Sequence, residues 1–322
     1  MAVSFLASCT SRDFTTISGE TMGTYYKVQC QCEREVSKSE IEGALESISS
    51  VFSTWQSDSE ISRFNVATHN RWISVSQEFF DLVKISQSVS ELSGGSFDVT
   101  ISPLVNAWGF GSEEVRGIPS EEEIHVLLEQ VGWQNLELRE HPSSLLKLKP
   151  LSVDLSGIAK GYAVDQVADL LENLDCENYL VDIGGEIRVK GQNRFSNPWQ
   201  IGVEVPDGSG AVLDGLQLTD IGVASSGDYQ NFREIEGVRY SHVIDPLTGY
   251  PVNHNLVAVT VLDSSAAYAD ALATALLALG FEKGSALAER EALPVLFITK
   301  RDEKDSYKVV PSSAMEPYLA SG

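Results

Sequence analysis

The chain is expected to fold as α+β, with largely antiparallel sheets and inserted helices. Short strand-like runs joined mostly by hairpin turns fill its middle and end, helical stripes with three- and four-residue spacing interrupt them, and regular strand–helix alternation of the doubly wound kind is missing. At 322 residues, 43% hydrophobic and 21% charged, it is long enough for a substantial core in one two-lobed domain, assigned here to residues 18–320 behind a leader and linker at 1–17.

Tyr25 to Gln31 alternates as a strand. Ser39 and Glu42 read as a capping box for a helix carrying Ile41, Ala44, Leu45, Ile48, Val51 and Phe52. FSTWQSDSEISRFN reads as a loop, Phe79 to Leu92 as a helix closed by Gly94 and Gly95, and Glu121 to Val131 as a third helix. Leu145 to Leu155 contains a strand. VDLSGIAKGYAVD, Val153 to Asp165, then turns at a glycine into a helix striped by Ala159, Ala163, Val167, Leu170, Leu171 and Leu174. Strands follow at Tyr179 to Val189, Trp199 to Val205, Gly222 to Ser225, Arg239 to Ile244, Val257 to Leu262 and Val295 to Thr299, with a helix at Ser264 to Leu279 between the last two. No short-period repeat, low-complexity segment or internal linker is visible.

A formal net charge of −23 argues against nucleic acid, whose phosphates need clustered Lys and Arg. An anionic ligand would need local relief from a metal ion, a helix N-terminus or the few basic residues. The cysteines, Cys9, Cys30, Cys32 and Cys176, make no zinc pattern and no disulfide framework; Cys30 and Cys32 read as packing residues on one strand face. Leu6-Ala7-Ser8-Cys9 matches a bacterial lipobox, although the basic and apolar segments that normally precede one are missing and the start reads as truncated. No other run approaches the roughly 20 apolar residues of a membrane span.

Lys160 falls in the first turn of its helix, where a cation opposes the helix dipole and the backbone N–H groups suit a phosphate. Asp154 beside such an anion calls for a hard cation between them; alternatively Asp154 caps the helix and Lys160 lies along the surface. Asp270 and Thr274 are four apart on one face of an Ala/Leu helix. An ionised buried Asp needs a partner, which is either Thr274 with nearby backbone or a cation such as Mg²⁺. The loop ASSGDYQNF suits an anion or an ordinary turn. His242 sits near a strand end before Asp245-Pro246 and reads as a general base or as packing. Trp55, Phe97, Trp108 and Phe110 form a wall for a planar ring or anchor loops and core.

Taken in order, ETMGTYY, FSTWQSDSEISRFN, GGSFDVTISPLVNAWGFG, VDLSGIAKGYAVD, YLVDIGGEIRVKG, ASSGDYQNF, YSHVIDPLTGYPV and ADALATALLALG resemble the ApbE family of FAD:protein FMN transferases, over roughly Ser18 to Gly280. The resemblance implies an ApbE-like, T-fold-like domain. It also implies Mg²⁺-dependent cleavage of FAD, with FMN joined through a phosphodiester to a Thr or Ser of an acceptor protein and AMP released. Mn²⁺ is an alternative metal, because oxygen-ligand sites discriminate poorly. It assigns Met22, Trp55, Ser96, Phe97, Asp98, Asp154 and Lys160 to FAD, with Trp55 where the family often has Tyr and Lys160 where some relatives have Glu. It assigns Gly157, through its carbonyl, with Asp270 and Thr274 to the metal, and His242 to the base; Asp245, three residues on, is the expected partner that orients it. Family acceptors include subunits of membrane redox complexes, and many members are lipoproteins on the periplasmic side of the inner membrane, in keeping with a lipid anchor at Cys9. The competing expectations are an FAD pyrophosphatase, with water as the nucleophile, and a non-enzymatic flavin-binding lipoprotein.

Overall fold

The computed structural model describes residues 13–111, 117–206, 212–228, 232–235, 237–301 and 306–319. Cys9 and the Tyr229 to Asn231 part of ASSGDYQNF lie outside them. The described chain opens on a hairpin of β1 (Thr15–Thr21) and β2 (Thr24–Cys32), turning at Met22 and Gly23. Phe14 packs edge-on against Trp199, so the fold takes in residues ahead of Ser18.

Next come α1 (Lys38–Phe52), α2 (Glu60–Val66), β3 (Trp72–Ser74) and α3 (Gln77–Leu92). The capping box of α1 is Ser37 with Glu40, not Ser39 with Glu42. The earlier frame prevails because it places Val36 just before the cap and Ile41 one turn inside, both buried in the main core, as a hydrophobic staple. The later frame would offer Lys38 and Gly43. Helix α2 forms where a loop was expected: Ser59 accepts from Ser62 N–H at 3.1 Å, and Ile61 and Phe64 are buried.

The middle of the chain supplies α4 (Ser102–Ala107), α5 (Glu121–Leu128), β4 (Leu136–Arg139), β5 (Ser144–Lys147), α6 (Ala159–Asn173), β6 (Cys176–Ile183), β7 (Glu186–Lys190), β8 (Trp199–Glu204) and β9 (Val212–Leu218). The end supplies β10 (Ile221–Gly227), β11 (Phe232–Ile235), β12 (Val238–Ser241), β13 (Leu256–Asp263), α7 (Ala266–Arg290), β14 (Val295–Lys300) and β15 (Tyr307–Pro311). The run expected as one strand from Tyr179 to Val189 is the β6–β7 hairpin, turning at Gly184 and Gly185 with positive φ. Strands β1, β3, β4, β9, β11 and β15 were not anticipated, because they lie at sheet edges or in small two- and three-stranded sheets.

An eight-stranded sheet runs in the order β1-β2-β6-β7-β10-β13-β14-β15, with every neighbouring pair antiparallel. The predicted α+β class is therefore the observed one. Period-two burial organises the sheet: on β2, Tyr26, Val28 and Cys30 enter the core shared with α1, α6 and α7, while Tyr25, Lys27 and Gln29 face the other side. There β8 and β9 cover part of the sheet through Ile201, Val203, Leu216 and Leu218. Strand β13 is buried along almost its whole length because helices cover one face and this hairpin the other.

The cysteine expectation needs correction. Cys32 and Cys176 form a disulfide joining β2 to β6; they are register partners 144 residues apart in sequence, a pairing that spacing cannot reveal. Cys30 is a buried free thiol, as expected, and burial pushes its pKa up to about 11. Helix α7 is long and apolar enough to cross a membrane by length and composition alone, but it lies across the sheet in the core and breaks at Gly280, where φ is 76°.

Candidate functional site

The site grows from the crossing of α6 and α7. Asp165 of α6 caps the start of α7, its carboxylate accepting from Ser265 Oγ at 2.8 Å and from Ala266 and Ala267 N–H at 3.0 Å each, while Arg188 pairs with it at 2.8 Å. Gly161 permits the close approach, since any Cβ there would run into the Ala266 carbonyl and Ala267 Cα. The approach lets Gly161 N–H donate to Asp270 Oδ2 at 3.0 Å. Asp270 is only 3% exposed. Burial pushes its pKa up, opposed by the Lys160 ammonium and the Gly161 hydrogen bond.

One turn on, Thr274 Oγ1 lies 3.1 Å from Ser226 Oγ of β10. Gly157 packs against the same hydroxyl: a Cβ built on it would sit 3.4 Å from Thr274 Oγ1 and 3.2 Å from the Phe97 ring. Asp270, Thr274 and Ser226 offer oxygen donors suited to Mg²⁺, to which the Gly157 carbonyl would add; with a single carboxylate among them, phosphate oxygens and water would complete the shell. Among the described residues no group of three or more His, Cys, Asp or Glu offers an alternative metal centre.

The first turn of α6 differs from expectation. Ile158 and Ala159 N–H donate to the Leu155 carbonyl and Gly161 N–H to Asp270, so most of the donors foreseen for a phosphate are engaged within the protein. What the turn offers is the Lys160 side chain, whose Nζ donates to Glu186 Oε2 at 2.7 Å. Glu186 opens β7 directly after the Gly184-Gly185 turn and is 1% exposed. Burial and the charge of Asp270 push its pKa up to about 8 against the pull of Lys160. Burial works against the Lys160 ammonium too, but Glu186 and Asp270 outweigh it and hold the amine above its usual value. Sequence reasoning missed Glu186; its one signal was a carboxylate entering a strand straight after a Gly-Gly turn.

These groups line a cavity of about 900 Å³, near the upper end of the roughly 300–1,000 Å³ typical of ligand sites and roomy enough for a dinucleotide. Of the residues foreseen in sequence, Ser96, Phe97, Asp98, Asp154, Gly157, Lys160, His242, Asp270 and Thr274 line it together. Ser96 Oγ donates to the Ala275 carbonyl at 3.1 Å and so ties the Gly94-Gly95 turn to α7. Asp98 accepts from Thr100 N–H, Thr100 Oγ1 and Trp133 N–H; burial nevertheless raises its pKa, with those bonds opposing. Asp154 accepts from Ser156 N–H at 2.8 Å and does not cap α6, whose start carries no side-chain cap.

Other foreseen residues sit apart. Met22 occupies the β1–β2 turn against the main core, and Trp55 is 74% exposed; neither is among the cavity-lining residues. Of the proposed aromatic wall, Phe97 and Phe110 face the cavity, whereas Trp108 is buried, its indole N–H donating to the Gly249 carbonyl at 2.8 Å. His242 lies one residue past β12, with its ring centroid 6.3 Å from that of Phe110. Asp245 is occupied in its own turn: Oδ1 accepts from Leu247 N–H at 2.9 Å and Oδ2 from Thr248 Oγ1 at 3.0 Å. A carboxyl in electrostatic reach of His242 is Asp228, one residue past β10. Burial raises its pKa, while Arg239, His254 and His242 draw it down.

The model of the ApbE family matches residues 22–297. FAD:protein FMN transferase of Vibrio cholerae is 43% identical over 94% of this chain and 92% of its own length, and the Escherichia coli K12 protein of the same name 37% identical over 96% and 90%. Among solved structures, the flavin transferase ApbE of Vibrio cholerae superimposes with a TM-score of 0.87 at 42% identity, covering 95% of this chain and 99% of that one. The apo flavinyl transferase ApbE of Pseudomonas stutzeri gives 0.87 at 36% identity, covering 96% and 98%. Family model, sequence relatives and fold agree, and the chain belongs to the ApbE family.

Proposed function

We propose that the chain transfers the FMN half of FAD to a Thr or Ser hydroxyl of an acceptor protein and releases AMP. The observation that carries this reading is the convergence, in one dinucleotide-sized cavity, of a hard-oxygen cluster around Asp270 and Thr274, a tethered Lys160 and the imidazole of His242. The names of the relatives support it.

Asp270, Thr274, Ser226 and the Gly157 carbonyl would hold Mg²⁺, and Mn²⁺ suits the same set. When bound, the metal supplies neutralisation of the charge that develops on the pyrophosphate during transfer. His242 takes the proton of the acceptor hydroxyl as its oxygen bonds to the FMN phosphorus. The bond from that phosphorus to the bridging oxygen breaks, and AMP leaves with the bridging oxygen. The product is a phosphodiester linking FMN to the acceptor. Phe97 and Phe110 would flank the nucleotide, and the Lys160 ammonium lies on the phosphate side.

The Cys32–Cys176 disulfide supports an oxidising compartment. With the lipobox at Cys9, this favours a lipid-anchored protein on the periplasmic face of the bacterial inner membrane, acting on flavoprotein subunits of membrane redox complexes. Mass spectrometry of candidate acceptors incubated with the protein, FAD and Mg²⁺ tests the reaction: the expected result is a mass gain of one FMN on a Thr or Ser. FMN and AMP formed without any gain would favour a pyrophosphatase, and stoichiometric FAD binding without AMP a flavin carrier.

A further inference from the structure

We propose that Lys160, tethered by Glu186, is the built-in counter-cation of Asp270 and makes divalent-metal binding depend on the FAD pyrophosphate. The inference rests on the metal reading given above and goes beyond it by fixing the order in which the site is assembled.

The geometry is specific. The Lys160 ammonium is held at 2.7 Å by a carboxylate that is 1% exposed, and both residues line the same cavity wall as Asp270. The residue after Lys160 donates its N–H to Asp270 Oδ2, so the backbone of this turn holds the buried acid while the neighbouring Lys160 ammonium, pinned on Glu186, acts on it through its charge. Glu186 in turn is fixed by the Gly184-Gly185 turn at the head of β7. Lysine side chains normally seek water; this one, though a third exposed, is pinned on the cavity wall by Glu186.

Charge then decides what the site accepts. The Lys160 ammonium offsets the charge of Asp270, so Lys160, Glu186 and Asp270 together carry at most one net negative charge. Adding a divalent ion alone would make the cluster net positive, with Lys160 repelling the newcomer, which is unfavourable beside the buried carboxyls of Asp270 and Glu186. A pyrophosphate brings two negative charges and reverses that balance, so FAD and metal favour each other. Such coupling is reciprocal: whatever factor FAD adds to metal affinity, metal adds to FAD affinity. It would also disfavour metal at the site before the nucleotide arrives.

The test is calorimetric titration of Mg²⁺ into the full-length protein, alone and saturated with FAD, for the parent chain, Lys160→Gln and Lys160→Arg. The parent chain is expected to bind Mg²⁺ at least about tenfold tighter with FAD present. Lys160→Gln, which can still hydrogen-bond to Glu186, is expected to bind Mg²⁺ about tenfold tighter than the parent in the absence of FAD and to lose most of the coupling. Lys160→Arg should retain it. A rise in metal affinity is not what damage to the fold produces, so the sign separates the tether from a merely structural lysine. Equal Mg²⁺ affinity with and without FAD in the parent, or no gain in Lys160→Gln, would overturn the proposal while leaving the metal site standing. No Mg²⁺ binding even with FAD present would overturn the metal reading and this inference with it.

Discussion

The two ends of the cavity are built by opposite means. At the α6–α7 end, the charged groups are held by partners on distant elements: Asp270 by Gly161, Lys160 by Glu186, and the start of α7 by Asp165. At the other end, His242 follows a short ribbon, β11–β12, and precedes a self-contained turn, supported by a small cluster of Leu104, Trp108, Ile124, Val131 and Ile244. The first end sets its electrostatics by burial and cross-bracing, as suits a fixed pyrophosphate and metal. The second carries His242, the proposed base, on light elements, which suits the proposed approach of an acceptor hydroxyl. Perturbation should therefore act mainly through charge at the first end and through placement at the second.

The largest effect is expected from Asp270→Asn. The amide oxygen can still accept from Gly161 N–H, so the helix crossing should survive while the charge is lost. Transfer, followed as AMP release, should fall about 10³-fold or more, the consequence of removing several kcal/mol of charge stabilisation. Thermal denaturation should show the fold intact, and near-normal transfer would remove Asp270 from the metal site. At the opposite end, His242→Ala should cost about 10²- to 10⁴-fold in transfer, the usual range for a lost general base. FAD binding, read from flavin fluorescence, should stay near that of the parent chain. If this variant loses nucleotide as well as transfer, the comparison between a binding end and a base end breaks down.

How much was legible in the sequence follows the same division. The α6 stripe and the i, i+4 pair Asp270 and Thr274 were readable because both depend on local helical periodicity; the stripe packs into the core, and Asp270 and Thr274 line the cavity. Glu186 was not, because it meets Lys160 only when the β6–β7 hairpin folds onto α6, and in the sequence it is one more acid in a strand. Ser226 was visible only as part of a hydroxyl-rich loop. The capping box of α1 was misplaced by two residues because competing Ser-x-x-Glu frames look alike until Val36 and Ile41 find the core. The disulfide was hidden for a related reason, since Cys32 and Cys176 become neighbours only through the register of β2 on β6.

That disulfide gives a prediction of intermediate size. It closes a loop of 144 residues at the margin of the sheet, away from the cavity-lining residues. Cys176→Ser should therefore lower stability by about 2–4 kcal/mol in urea titration while leaving the rate of transfer at 25 °C nearly unchanged. A large loss of transfer without loss of stability would mean that the β2–β6 seam communicates with the site, which its geometry gives no reason to expect.

The smallest expected effect sharpens the comparison most at the His242 end. Asp245 was expected to orient the base, yet both of its carboxylate oxygens serve the turn, through Leu247 N–H and Thr248 Oγ1. Asp245→Ala removes two exposed turn bonds, each contributing roughly 0.5–1.5 kcal/mol at most, and transfer should stay within about threefold of the parent chain. Thr248→Ala removes one of the same bonds without touching a charge and should behave alike, which isolates the turn from the carboxylate. Asp228→Asn, by contrast, removes an acid in electrostatic reach of His242 and should lower transfer more than either. If Asp245→Ala instead falls as far as His242→Ala while Thr248→Ala does not, the carboxylate of Asp245 orients the imidazole after all, and the turn bonds are incidental to its work. If all three variants fall together, it is the placement of the turn, not any one charge, that His242 depends on.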